Sequence, residues 1–282
     1  MPPCRLLPTR FPACALAAFL ALILPAGGTM AGGTMADCGR PENGLDTARA
    51  SGAADGRTIL LEDGRKFLLA GLEVAPAYPQ AATALAARVT GRSVTLRGLA
   101  RDSRKSRKAQ KAGAEDAGDR HGRLAGFVFV EETVTPLQDE MLRAGLARAA
   151  GPVDTPECWA MLLASETAAR EGQRGLWADP AFGIRPADRP AAIAERGRFA
   201  IVEGKILSVR ENGGTIYLNF GKRWSEDFTA TIPKRLERQF AAAGLAPQTL
   251  AGRIIRIRGI VEERGGPWIE AARPDQIELT ER

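Results

Sequence analysis

The chain has 282 residues, of which 45% are hydrophobic and 26% are charged, and this composition excludes an intrinsically disordered protein. Its length is sufficient for two domains. The formal net charge of +6 is compatible with a polyanionic partner without requiring one.

The first 36 residues are predicted to be a secretory signal rather than part of the fold. Arg5 and Arg10 form a positive region, residues 11–23 form an apolar region, and alanines offer cleavage positions after it. The apolar run is short for a membrane span, which needs about 20 residues. We therefore expect cleavage with no stable span afterwards, and an exported protein that is periplasmic or secreted. The mature chain would carry 6 − 2 = +4, because the segment contains two arginines and no acid.

The predicted cleavage divides the four cysteines into two pairs. Cys4 and Cys14 lie in the signal, whereas Cys38 and Cys158 remain in the mature chain. Exported proteins seldom keep unpaired cysteines, so a disulfide between Cys38 and Cys158 is favoured over two free thiols.

The first domain, residues 37–179, is predicted to begin with a β-hairpin. Residues 58–61 and 66–72 form its strands and residues 62–65 its turn, because Asp-Gly between apolar runs is typical of a hairpin. Thr135 and Thr155 are expected to cap two later helices. The elements that follow the hairpin are a helix at 80–89, strands at 93–99 and 124–130, and helices at 135–144 and 156–171.

Residues 101–118 show no hydrophobic periodicity and are predicted to form an exposed loop. Their basic side chains would form a phosphate-attracting arm, or the segment is a solvated insertion. The basic residues considered for binding are Arg104, Lys105, Arg107 and Lys108.

Three motifs of this domain resemble those of the staphylococcal nuclease (thermonuclease) family. They read Asp-Gly-Arg-Thr at 55–58, Leu-Leu-Ala-Gly-Leu-Glu-Val-Ala-Pro at 68–76 and Asp-Arg-His-Gly-Arg at 119–123. The order of the elements and the Gly-Leu-Trp at 175–177 are also similar. The resemblance implies an OB-type barrel carrying helices. It also implies calcium-dependent phosphodiester hydrolysis, in which acidic side chains bind the metal.

The motifs depart from the family pattern at the residues that carry this chemistry. Arg57 stands where the family has a calcium-binding aspartate, Leu68 where it has an arginine, and Pro76 where it has a glutamate. Glu73 conservatively replaces the second metal carboxylate. The family's tyrosine-bearing segment, which helps hold the nucleotide, reads 145–151 here and has no aromatic residue. We therefore expect a degenerate site, since losing one preorganised group costs about 100- to 1000-fold in rate.

The surviving positions supply the candidate site residues. If the domain is active, Arg123 and Glu73 are the catalytic candidates and Asp55, Glu73 and Asp119 the metal ligands, with calcium or another divalent cation. Otherwise no cofactor is expected. Arg123 can equally form a structural ion pair. His121 is the only histidine in the chain, and a lone histidine in a turn is more often a surface residue than a general base. The remaining ligand-binding candidates are Arg120, His121 and Trp224.

Residues 180–197 contain several prolines and are predicted to be a linker to a second domain at 198–282. Its pattern of three strands, a helix and further strands is the OB-fold order, so the predicted fold class is mainly β with α, with two small barrels. The strands are expected at 199–209, 215–220, 227–232, 253–261, 268–271 and 276–279, and the helix at 234–243.

OB barrels bind single strands by stacking bases on aromatic side chains above a basic groove. The aromatic side chains of the second domain could form such a surface, or most of them could fill the core. Trp224, in a polar turn, is the best candidate for exposure. The set considered is Tyr217, Phe220, Trp224, Phe228 and Trp268, with Lys222 and Arg223.

The sequence thus predicts an exported module that binds single-stranded nucleic acid or another polyanion. Two alternatives stay open. One is an active metal-dependent nuclease with a rebuilt site, and the other is a cell-envelope protein-interaction module. The sequence identifies no protein partner.

Overall fold

The computed structural model describes residues 38–40, 46–99, 124–153, 155–193, 196–223 and 225–280. The predicted signal, the basic loop, the 119–123 motif and Trp224 lie outside these ranges. The segment Met35–Arg282 forms one compact unit. Its described part contains two large hydrophobic cores, one in each predicted domain, and a smaller third cluster.

The first part of this unit is a closed five-stranded barrel with a small additional sheet. The strands are β1 (Asp46–Ala53), β2 (Thr58–Leu61), β3 (Lys66–Leu69), β4 (Leu72–Glu73), β5 (Ser93–Gly98), β6 (Leu124–Val130) and β7 (Arg148–Ala149). The barrel closes in the order β1, β2, β3, β6 and β5, with β3 and β6 parallel, while β4 and β7 pair separately. This confirms the predicted barrel with helices.

The predicted hairpin is present, but its second strand is interrupted. Gly64 adopts a positive φ of 86° in the turn, which favours glycine. Gly71, at φ 79°, separates β3 from β4, and a Cβ there would lie 2.3 Å from Leu162 Cδ1. The chain therefore leaves the barrel at this glycine, and β4 pairs with β7 instead.

Strand β1 was missed by sequence reasoning. Its sequence, DTARASGA, lacks hydrophobic alternation, and only Ala50 is fully buried. The strand pairs with β2 on one side and β5 on the other, with an irregular register between Ala50 and Gly52. Tertiary pairing rather than local pattern therefore produces this strand.

Within the described residues, three helices pack around the barrel. They are α1 (Gln80–Val89), α2 (Leu137–Arg143) and α3 (Pro156–Glu171). Helix α2 is shorter than predicted and Thr135 is not its cap, because Pro136 is extended and occupies the N-cap position without a side-chain bond. Thr155 does cap α3, since its Oγ1 accepts a hydrogen bond from the Cys158 amide.

The predicted disulfide is confirmed. Cys38 and Cys158 are bonded, with their Cα atoms 5.2 Å apart. Cys158 lies on the first turn of α3 and is fully buried. The bond therefore ties the start of the described chain to this helix.

The second part is a β domain in which two sheets enclose one core. The elements are β8 (Arg185–Pro186), β9 (Phe199–Lys205), β10 (Ser208–Asn212), β11 (Thr215–Asn219), β12 (Thr229–Pro233), α4 (Glu237–Ala242), β13 (Ile254–Ile260), β14 (Glu262–Arg264), β15 (Gly266–Glu270) and β16 (Ile277–Leu279). The sheets have the orders β10-β11-β12-β15-β14 and β16-β13-β9-β8, so β9 and β10 follow each other along the chain but lie in different sheets, as do β13 and β14. Strand β12 runs parallel to β15. This is the strand order of an OB barrel.

The segment predicted as a linker contains short ordered elements. It has 3₁₀ turns at Pro180–Phe182 and Pro190–Ala192, and β8 pairs in parallel with β9. The division of the chain into two domains joined by a linker stays a prediction.

Candidate functional site

The first predicted site residue, Asp55, stabilises the turn before β2. Its Oδ1 accepts a hydrogen bond from the Arg57 amide at 2.8 Å, and its Oδ2 accepts one from Thr58 Oγ1 at 3.1 Å. Aspartate commonly bonds to backbone amides two residues further on in this way. Both carboxylate oxygens are therefore engaged within the turn.

The side chain of Arg57 lies against the second predicted carboxylate, Glu73. Arg57 Nη1 donates to Glu73 Oε2 at 3.2 Å and to the Leu72 carbonyl at 3.3 Å. The Glu73 side chain is 20% exposed and that of Arg57 is 38% exposed. A fixed positive charge from the protein thus already neutralises Glu73.

A second arginine faces Glu73 across the two-stranded sheet. In the β4–β7 pair, Arg148 stands directly opposite Glu73, so the two side chains lie on the same face. Burial raises the pKa of Glu73, and the charges of Arg57 and Arg148 only partly offset this effect. Burial likewise lowers the pKa of Arg148, with Glu73 and Glu166 acting in the opposite direction.

The Arg148 guanidinium lies over an aromatic ring from the second β domain. Its Cζ is 4.8 Å from the centre of the Phe199 ring. Arg185, on β8, is close enough for its charge to disfavour that of Arg148. Arg57 and Arg148 therefore neighbour Glu73, and Arg185 adds a third guanidinium group beside Arg148.

Most of the other predicted site residues lie outside the described part of the chain. This holds for Asp119, Arg120, His121, Arg123, Arg104, Lys105, Arg107, Lys108 and Trp224. Their convergence with Asp55 and Glu73 stays a prediction. Within the described ranges, no group of three His, Cys, Asp or Glu side chains is arranged to hold a metal ion.

Three of the predicted aromatic residues of the second domain are buried. Phe220 and Phe228 lie in the core, with ring centres 5.0 Å apart. Trp268 is 9% exposed, and Arg264 covers it at 4.2 Å. Tyr217 is half-buried and meets Trp268 edge-on at 6.0 Å.

Sequence reasoning missed a buried ion pair behind the site. Arg258 on β13 and Glu166 on α3 are each 1% exposed, and Arg258 Nη1 donates to Glu166 Oε2 at 3.0 Å and to the Ala149 carbonyl at 2.7 Å. Arg258 also donates to Glu278, and the Ala149 amide donates to Glu166. The strand that carries Arg148 is thereby fixed between α3 and β13. Alternating arginines in a strand predict an exposed face, so no sequence signal indicated this pair.

Comparison with known proteins supports the assignment of the first domain. Residues 77–179 match the family model of staphylococcal nuclease homologues, and a search of curated proteins finds no match. Together with the closed barrel, this match shows a staphylococcal nuclease-like domain, a class that fits nuclease or nucleic-acid-binding functions. The matched range begins just after the 55–76 hairpin region and therefore does not include the motifs at 55–58 and 68–76. None of the described helices is long and apolar enough to cross a membrane.

Proposed function

We propose that the protein is an exported module that binds single-stranded nucleic acid or another polyanion, built on a nuclease-like domain without metal-dependent catalysis. The observation that carries this proposal is the contact between Arg57 and Glu73. Calcium requires six to eight oxygen ligands, and a guanidinium stays protonated at all relevant pH values. Arg57 therefore takes the carboxylate that a calcium ion would need and repels the ion itself.

The charges near Glu73 favour an anionic ligand. Arg57 contacts Glu73, Arg148 stands opposite it, and Arg185 lies near Arg148. Guanidinium groups bind phosphate oxygens well because their donors form a planar fork. The predicted signal and the disulfide support export, since disulfides persist in oxidising compartments.

The first experiment replaces the cation at the former metal position. Arg57→Asp would place a second carboxylate beside Glu73, so we expect it to gain calcium binding by isothermal titration calorimetry, whereas the wild type binds none. Arg49→Asp is the matched control, because Arg49 forms an exposed pair with Glu62 on the same barrel. Calcium-dependent cleavage of single-stranded DNA by the wild type, abolished by Arg123→Ala, would instead establish an active nuclease.

The second experiment measures the affinity for a labelled single-stranded oligonucleotide at several salt concentrations. The logarithm of the affinity should fall linearly with the logarithm of salt, by about 0.7 per phosphate contact. Neutralising Arg104, Lys105, Arg107 and Lys108 together should reduce both affinity and slope. Absence of any salt-dependent binding would favour the protein-interaction alternative.

A further inference from the structure

We propose that Arg148 is the centre of a site for one phosphate group, located beside the two-stranded sheet β4–β7 and adjoining Phe199. This inference goes beyond general binding of polyanions, because it specifies a single residue and a single group. It rests on the proposed function only for the source of that phosphate.

The first observation is a buried guanidinium without a partner. Arg148 is 6% exposed, and its Nε is fully enclosed without a hydrogen bond. Across the described residues, its guanidinium makes neither a hydrogen bond nor an ion pair. Buried arginines are almost always paired, because an unpaired buried charge is costly. Arg258 is comparably buried and its Nε also lacks a hydrogen bond, but its Nη atoms contact both Glu166 and Glu278.

The second observation is the availability of its donors. The Arg148 Cζ lies over the Phe199 ring, 4.8 Å from its centre. Nε is fully enclosed, whereas Nη1 and Nη2 are not, and neither makes a hydrogen bond within the described residues. Two donors of one planar fork are therefore available, and such a fork matches two oxygens of a phosphate group.

The third observation is the local charge. Three arginines, at 57, 148 and 185, and one carboxylate, Glu73, give 3 − 1 = +2 around the site. Glu166 does not reduce this excess, because Arg258 already neutralises it. A terminal phosphate carries about −1.5 to −2 charges at neutral pH, so its charge complements the site better than that of a carboxylate.

The fourth observation is that the donor is held in place. The next residue, Ala149, is fixed through its amide by Glu166 and through its carbonyl by Arg258. Phe199 is the first residue of strand β9. A side chain that is already ordered loses little freedom on binding, which favours affinity.

The experiment titrates the full chain with inorganic phosphate by isothermal titration calorimetry. Arg88→Met is the matched control, because it also removes one positive charge but lies on α1, where Arg88 pairs with Glu140. We expect the wild type and this control to bind alike, and Arg148→Met to bind about ten-fold more weakly or worse. Arg148→Lys and Phe199→Leu, which keep the charge but lose the fork or the ring, should weaken binding about three- to ten-fold.

A second measurement identifies the source of the phosphate. The same variants are compared on a single-stranded oligonucleotide with a 5′-phosphate and on its 5′-hydroxyl counterpart. If the wild type prefers the 5′-phosphorylated oligonucleotide and Arg148→Met does not, the site binds a terminal phosphate. If Arg148→Met loses affinity equally for both oligonucleotides, the site binds a backbone phosphate. Either result supports the site.

Two results would overturn the inference. One is the absence of phosphate binding to the wild type up to about 10 mM, and the other is unchanged affinity in a folded Arg148→Met variant. If that variant does not fold, affinities within two-fold of the wild type in both Arg148→Lys and Phe199→Leu would overturn it equally. Oligonucleotide binding that persists in these cases leaves the proposed function standing, so the two can fail separately.

Discussion

At the scale of single residues, the surroundings of Glu73 carry the proposed function. Its carboxylate forms an ion pair with Arg57 and stands opposite Arg148. Burial raises its pKa in spite of two neighbouring guanidinium groups. The charged form of Glu73 is therefore less favourable in the folded protein than in the unfolded chain.

This shift predicts how stability depends on pH. A carboxyl whose folded-state pKa is raised contributes most at low pH, and this contribution is lost as pH rises through the folded pKa. The stability of the wild type relative to Glu73→Gln should therefore fall by up to about 1 kcal/mol between about pH 4 and neutrality. Urea unfolding of both proteins at several pH values measures this difference.

Glu62→Gln serves as the control for this measurement. Glu62 forms an exposed pair with Arg49 on the same barrel, so its replacement should leave the pH dependence nearly unchanged. A wild-type advantage over Glu73→Gln that grows with pH would show that the Arg57 pair outweighs burial, contrary to the expectation.

At the scale of elements, the sequence predicted the strongly patterned segments well. Helices α1 and α3 and strand β6 have the predicted bounds, because capping residues, alanine content and continuous β-branched or aromatic runs specify them locally. Strand β1 escaped prediction because its alanines, serine and glycine acquire strand geometry only through two neighbours.

The candidate site was predictable only in part. The sequence predicts a degenerate site from Arg57, Leu68 and Pro76, and this stays a prediction. The position of Arg148 opposite Glu73 was not predictable, because it depends on the pairing of two short strands. Arg258 and Glu166 are 92 residues apart along the chain, and no local pattern relates them.

The buried pair of Arg258 and Glu166 leads to a prediction about how α3 and β13 are held together. Arg258→Met would leave the buried Glu166 with only the longer contact to Arg170, at 3.5 Å, so we expect a loss of about 3–5 kcal/mol in unfolding free energy. Urea denaturation of the full chain measures this loss. The double variant Arg258→Met with Glu166→Gln should recover part of it, since the side chain at position 166 is then neutral.

An exposed pair in the same β domain provides the reference for this experiment. Arg223 and Glu226 form a solvent-exposed pair, and Arg223→Met should cost less than about 1 kcal/mol. A cost for Arg258→Met as small as that for Arg223→Met would contradict a stabilising role for the buried pair.

At the scale of the whole molecule, the two β domains share a hydrophobic cluster as well as this ion pair. Ala169 on α3, together with Leu176 and Trp177 after it, packs with Ile201 on β9. The end of the nuclease-like domain is thus part of the packing of the second domain. Phe199, on the same strand, reaches Arg148, so the proposed phosphate site requires both domains.

The disulfide is the second long-range connection, and it predicts a dependence of stability on oxidation. Cys38 and Cys158 are separated by 120 residues, which span the entire first barrel. Closing so long a loop restricts the unfolded chain, and loss of such a bond typically costs about 2–5 kcal/mol. Replacing both cysteines by serine should therefore lower the urea midpoint substantially, and dithiothreitol should lower that of the wild type alone. Equal midpoints for the wild type and the double variant under oxidising conditions would show that the bond does not stabilise the fold.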